Sequence, residues 1–161
     1  RLDRPAWLAP DLYDATTGTN RLRVAPLWTS GDAVLEAYRA TYRPPFGPPS
    51  AIWIERRASG IVVRADIPDP SASQLARSRS GSRNASLEDW ARLQFYLEGA
   101  DFWHQTLSGS EPDCSWGIDS DAWQFEGFRK PSDYVAFTRL CPDTYLAGLT
   151  AFLDLIGPPA R

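Results

Sequence analysis

Two runs rich in β-branched residues, 51–56 and 61–67, are separated by little more than Ala58, Ser59 and Gly60. A parallel crossover needs a dozen or more residues, so strands this close in sequence can pair only antiparallel, as a hairpin. A second pair repeats the arrangement. Residues 122–128 and 134–140, carrying Trp123, Phe125, Tyr134 and Phe137, flank Lys130, Pro131, Ser132 and Asp133, a composition that favours a turn. A further strand-like run, 34–42, places Tyr38 and Tyr42 on one face at period two. The proline-rich segment 43–49 stops it, because proline cannot donate to a ladder.

Helical signals alternate with these strands. Ser86 offers a hydroxyl cap, Glu88 and Asp89 fall in the first turn, and Leu87, Trp90, Leu93, Leu97 and Ala100 recur at spacings of three and four. This predicts a helix from about Leu87 with one buried face, anchored at its end by Phe102 and Trp103. Pro142, Asp143 and Thr144 open another helix, with Leu146, Leu149, Leu153 and Ile156 on one face and Gly157, Pro158 and Pro159 closing it. The order strands, helix, strands, helix predicts an α+β fold: an antiparallel sheet built from two hairpins, with two helices packed on one face. Residues 1–33 have no sustained period and read as an irregular N-terminal arm packed on the body. Residues 34–161 read as a single domain, the size expected for a chain of 161 residues. Within it, the Ser/Pro/Arg-rich stretch 68–85 has almost no apolar content and reads as a flexible loop.

Composition bears on setting and partners. With 20 acidic against 17 basic residues and a net charge of -3, the chain lacks the basic character of a nucleic-acid-binding domain. No stretch approaches the roughly 18 apolar residues of a membrane helix, so no transmembrane segment is expected. There is no Met, and the sequence begins at Arg1, as it would after removal of a secretory signal or in a trimmed piece. Cys114 and Cys141 are expected to form a disulfide in an oxidising compartment, closing a loop of about 28 residues worth about 3–4 kcal/mol. Two buried thiols are the alternative. A periplasmic or extracytoplasmic location follows as the expectation, with the cytoplasm as the alternative.

Asp119, Asp121 and Glu126 with Arg139 form the densest polar set near aromatic residues. Such carboxylates can serve as an acid–base pair or hold a cation. If Trp123 and Glu126 share a strand, however, their odd separation places them on opposite faces, and Glu126 is expected to pair with Arg139 across the hairpin as a structural ion pair. The one histidine, His104, follows Phe102 and Trp103 at a helix end, where a protonated imidazole suits the negative terminus. No G-x-S-x-G elbow, dinucleotide fingerprint or phosphate loop occurs, and neither cysteine lies in a C-x-x-C motif. No catalytic residue, metal or cofactor is assigned. Of the seven tryptophans most are expected in the core, whereas Trp28, Trp53 and Trp116 fall in loops or on exposed strand faces and are candidate binding residues. Arg77 and Arg79 in the Ser/Arg stretch join them as candidates to grip an acidic partner or a phosphate.

The second half also carries a spaced pattern: Phe102-Trp103 at a helix end, then Asp119, Trp123 and Glu126, then Tyr134, Arg139 and Pro142. In this it resembles a family of small bacterial α+β proteins of uncharacterised activity with an F-W … D-x-x-x-W-x-x-E … Y-x-x-x-x-R-x-x-P pattern. Tyr38-Arg39 and the run Ile52 to Glu55 are similar to that family's first hairpin, and Ser120 departs from the glycine expected after the aspartate. The resemblance implies the fold and leaves the activity open. The functional expectation is a non-enzymatic binding protein of the bacterial cell envelope with a protein partner, in its most concrete form an immunity or inhibitor protein against a secreted toxin. The alternatives are a small enzyme using Asp119, Asp121 or Glu126, and a structural accessory domain of an envelope assembly.

Overall fold

The computed structural model describes residues 33–43, 49–68, 78–105, 122–130, 133–139 and 143–158. Its strands are β1 (Val34–Arg43), β2 (Ser50–Arg57), β3 (Gly60–Pro68), β4 (Ser78–Ala85), β5 (Ala122–Arg129) and β6 (Asp133–Arg139). They form one six-stranded sheet in the order β4-β3-β2-β1-β5-β6, antiparallel at every pairing. Among the described residues, two α-helices, α1 (Leu87–Gly99) and α2 (Thr144–Ile156), complete an α+β fold, and a 3-10 turn, Phe102–His104, follows α1. Among the described residues, no helix is long and apolar enough to cross a membrane.

The sheet is larger than two hairpins. β1 lies in its interior, paired with β2 on one side and β5 on the other. Residues 78–85, read from composition as the end of a flexible loop, instead form β4 at one edge. Ser, Arg, Gly and Asn offer little apolar surface, but an antiparallel ladder to β3 satisfies the backbone whatever the side chains, and a polar edge strand resists further pairing. The N-terminal arm, 1–32, and residues 69–77 lie outside the described residues.

Register sorts the side chains of the sheet into two faces. Tyr38, Ala40, Ile52, Ile54, Val63, Phe125 and Phe137 share a core cluster with Trp90, Leu93 and Leu97 of α1 and Leu146, Leu149, Leu153 and Ile156 of α2. Leu87 does not belong to it and is exposed. At 100° per residue it stands roughly a quarter-turn off the line through Trp90, Leu93 and Leu97, so its spacing of three met the pattern without meeting the core. The two helices meet through Tyr96 and Gly148: a Cβ at Gly148 would lie 2.5 Å from the Tyr96 ring.

Helix α1 starts on a complete capping box. The Asp89 amide donates to Ser86 Oγ at 3.0 Å, and the Ser86 amide donates to Asp89 Oδ2 at 2.9 Å. The backbone hydrogen bond from Ser86 leads in holding the Asp89 carboxyl below its ordinary value of 3.8. Ser86→Ala is expected to cost about 1 kcal/mol in urea unfolding at neutral pH. Because the folded-state pKa of Asp89 is depressed, its contribution is present above pH 3.8 and is lost as pH falls through the lower folded value. Ser86→Ala keeps that backbone bond and removes only the hydroxyl's bond to Asp89 Oδ2 at 2.9 Å, so an acid titration of its stability is expected to be only slightly shallower than that of the wild type. Beyond α1, Asp101 takes a left-handed conformation (φ 47°) that aspartate tolerates, and the chain turns so that Phe102 enters the core.

Candidate functional site

The other face of the sheet is rich in charge and yet buried. One row across it runs Arg64, Trp53, Arg39, Glu126 and Ala136, each opposite the next. The neighbouring row runs Val62, Glu55, Ala37, Phe128 and Tyr134. A small apolar cluster of Val34, Ala37, Phe128 and Ala136, with Trp53 and Tyr134 against it, separates two carboxylate-centred groups.

The first group is centred on Glu126. Arg39 on β1 stands directly opposite it on β5, and the two side chains are 3% and 1% exposed. Arg39 Nε donates to Glu126 Oε2 at 2.5 Å, Arg39 Nη2 pairs with the same oxygen, and the Tyr134 hydroxyl donates to Oε1 at 2.7 Å. Both carboxylate oxygens are thus engaged, the condition under which a buried charge is tolerated. The pairing expected from sequence, Glu126 with Arg139, is not formed. Across β5 and β6, Glu126 faces Ala136 while Arg139 faces Trp123, which places Arg139 on the opposite side of the sheet. There its guanidinium donates to Gln105 Oε1 and, at 2.9 Å, to the Thr138 carbonyl, and it lies 4.9 Å from the centroid of the Phe137 ring. Trp123 and Glu126 do fall on opposite faces, with Trp123 packed against the main core.

Glu55 centres the second group. Trp53 Nε1 donates to its Oε1 at 3.1 Å; Arg57 donates to Oε2 from Nε at 2.9 Å and from Nη2 at 2.5 Å; Arg64 Nε lies 3.4 Å from the same oxygen. The Glu55 side chain is 7% exposed, whereas Arg57 and Arg64 are 28% and 38% exposed. A buried anion therefore fixes one indole and one guanidinium by hydrogen bonds and holds a second guanidinium, that of Arg64, beside it as an ion pair; all three groups still reach solvent. Asp66, buried on the same face two residues beyond Arg64, adds a second carboxylate, so two guanidinium groups stand among two carboxylates here.

No protein-family model matches the chain, and no curated protein matches it. Function has to be read from the geometry alone.

Trp53 is the one tryptophan of the three candidates among the described residues, half-buried at the edge of the Glu55 group. Arg79 lies in β4 opposite Ile67. Trp28, Trp116, Arg77, Asp119, Asp121, Cys114 and Cys141 lie outside the described residues. Sequence reasoning missed Glu55, Arg57, Arg64 and Arg39. A signal for the first two was present, since Trp53, Glu55 and Arg57 recur at period two and so share one face of a strand; Arg64 and Arg39 join only through register. His104 stands in the last turn of the 3-10 helix, at a helix end as expected, and its Nδ1 also sits 2.6 Å from Asp101 Oδ1 with both side chains exposed. On the face that carries the main core, Tyr38 donates to Glu36 Oε1 at 2.5 Å; burial first, and Glu36 next, hold its hydroxyl far above the ordinary tyrosine range. It remains a neutral donor at every physiological pH. Among the described residues, no three of His, Cys, Asp and Glu gather to hold a metal ion.

Proposed function

We propose that this chain is a non-enzymatic binding protein whose contact surface includes Trp53, Arg57 and Arg64, organised by Glu55. The observation that carries this is the fixed geometry around Glu55. Tryptophan and arginine dominate binding hot spots, and side chains held in place before binding lose less entropy when a partner arrives. The two partly exposed guanidinium groups fit carboxylates on the surface of a protein partner. Glu126, the described member of the acidic set considered for acid–base chemistry, has both oxygens occupied by Arg39 and Tyr134, which favours a structural role for it.

In its concrete form the proposal is an immunity or inhibitor protein of the bacterial cell envelope, periplasmic, with both helices layered on one face of the sheet and the Trp53 face toward a secreted toxin. It keeps the chain with the small bacterial family it resembles. Arg39, Glu126 and Tyr134 of that pattern meet in one buried group, which is consistent with a shared fold.

The test is binding to secreted effectors encoded beside the gene, measured by calorimetry with the full chain. A one-to-one complex is expected, weakened at least about 30-fold by Trp53→Ala and again by the double change Arg57→Ala with Arg64→Ala. Added salt should slow association, because exposed charges steer encounter. Absence of any such complex, together with unchanged toxin sensitivity in cells lacking the protein, would overturn the reading.

A further inference from the structure

The Arg39 face of the sheet is buried unevenly, and its own side chains do not account for the burial. Along one row Ser82 is exposed and Trp53 half-buried, whereas Arg39, Glu126 and Ala136 are all but inaccessible. β4 and β6 are both edges of the described sheet, and a bare sheet exposes its two edges alike. In the neighbouring row the Phe128 ring, 3% exposed, stands between Ala37 and Tyr134. Neighbours within a sheet screen the flanks of a ring but not its tip, so a phenylalanine this buried lies beneath a second layer. Helices α1 and α2 do not supply it. Their buried apolar residues belong to the core on the Tyr38 face, and the cluster around Phe128 contains strand residues alone. A further layer therefore has to cover β1, β5 and β6 and stop at Trp53.

The point where the chain enters the sheet indicates which segment this is. By period two, Val34 belongs on the face of Glu36 and Tyr38. A register shift between Val34 and Glu36 turns it over, and Val34 is fully buried in the cluster with Ala37 and Phe128. Residues 1–32 therefore lead into β1 from the covered face. At about 3.3 Å per residue they are long enough to cross strands about 4.8 Å apart several times. Trp7, Leu8, Leu12, Tyr13 and Leu27 supply the apolar side chains that such a layer needs. The other long stretches outside the described residues are anchored elsewhere. Residues 69–77 join β3 to β4, on the exposed side of the face. Residues 106–121 leave from Gln105, whose side chain pairs with Arg139 on the opposite face.

From this burial and this entry point we infer that residues 1–32 form a strap over β1, β5 and β6, sealing the Arg39–Glu126 pair from water. The covered area ends at Trp53, so the strap borders the proposed contact surface without occupying it. Photocrosslinking of the full chain tests the inference, with p-benzoylphenylalanine in place of Thr138, half-buried on the covered side of the face, or of the exposed Ser82 on its open side. Circular dichroism checks that each variant folds. From position 138, crosslinked peptides identified by mass spectrometry are expected to fall within 1–32 of the same molecule; from position 82 they are not. Crosslinks from position 138 into 106–121 or into a second copy overturn the inference, as does their absence. A second measurement leaves the covered face unaltered. After cleavage at a protease site introduced between Asp32 and Ala33, the 1–32 peptide is expected to stay with the body through gel filtration and to separate only in denaturant. A peptide that leaves a body still folded overturns the inference, whatever the crosslinking variants do.

Discussion

Glu126→Ala is expected to destabilise the protein by about 3–5 kcal/mol, because it leaves the Arg39 guanidinium buried without its carboxylate. The cost arises from the asymmetry of burial. The pair itself is worth little against solvated ions, but a guanidinium at 3% exposure that loses this carboxylate is left with a large part of its desolvation penalty. Urea unfolding should show a lower midpoint with an unchanged slope. Tyr134→Phe, which removes one donor to the same carboxylate, should cost about 1.5–3 kcal/mol, the range for a hydrogen bond to a charged group. Replacing both partners with apolar residues, Arg39→Met with Glu126→Leu, should be far milder than Glu126→Ala and close to neutral. If Glu126→Ala costs less than about 1 kcal/mol, the pair is not desolvated and the reading of this face is wrong.

Phe102→Ala is expected to cost about 3–5 kcal/mol, through a cavity the neighbours cannot close. The ring is 1% exposed and packs edge-on against Tyr38 at 5.5 Å and Phe137 at 5.1 Å. Directly beneath it, Gly127 of β5 has no side chain; a Cβ there would lie 2.6 Å from Phe102 Cε1. The sheet is therefore already as small as it can be under the ring and has nothing to relax into the space. Gly127→Ala in the intact protein should cost about 1–3 kcal/mol by overpacking. Combined with Phe102→Ala it should cost less than the sum, since the methyl group then enters the vacated volume. Thermal unfolding of the two single variants and the double variant measures the coupling; strict additivity would show that Phe102 does not sit over Gly127.

The elements whose physics is local were legible in the sequence. Ser86 and Asp89 announce α1 because a cap acts within four residues, and the leucines and Ile156 of α2 reveal its buried side because a helix repeats every 3.6 residues. The strands β2, β3, β5 and β6 were legible for the same reason, as runs rich in β-branched or aromatic residues on either side of a short turn, and β1 as a period-two run ended by proline. Leu87 marks the limit: spacing alone satisfied the pattern, while the buried direction was set by the core. β4 marks another, because its stability comes from a ladder to β3 rather than from its own side chains.

What only the tertiary structure decided is which distant residues meet. The β5–β6 turn is local, yet the partner of Glu126 comes from β1, 87 residues away, because β5 adds to the free edge of β1. Local reasoning assigned Glu126 to Arg139 for want of any sequence term in that choice. Once β1, β2 and β3 stand side by side, period two decides the rest, gathering Trp53, Arg57 and Arg64 around Glu55 on one face. The sequence by itself determined the elements, because caps, turns and periodicity act over a few residues. Register between strands far apart in the chain determined the charged groups, because burial rewards such pairings only after the loops between them have closed.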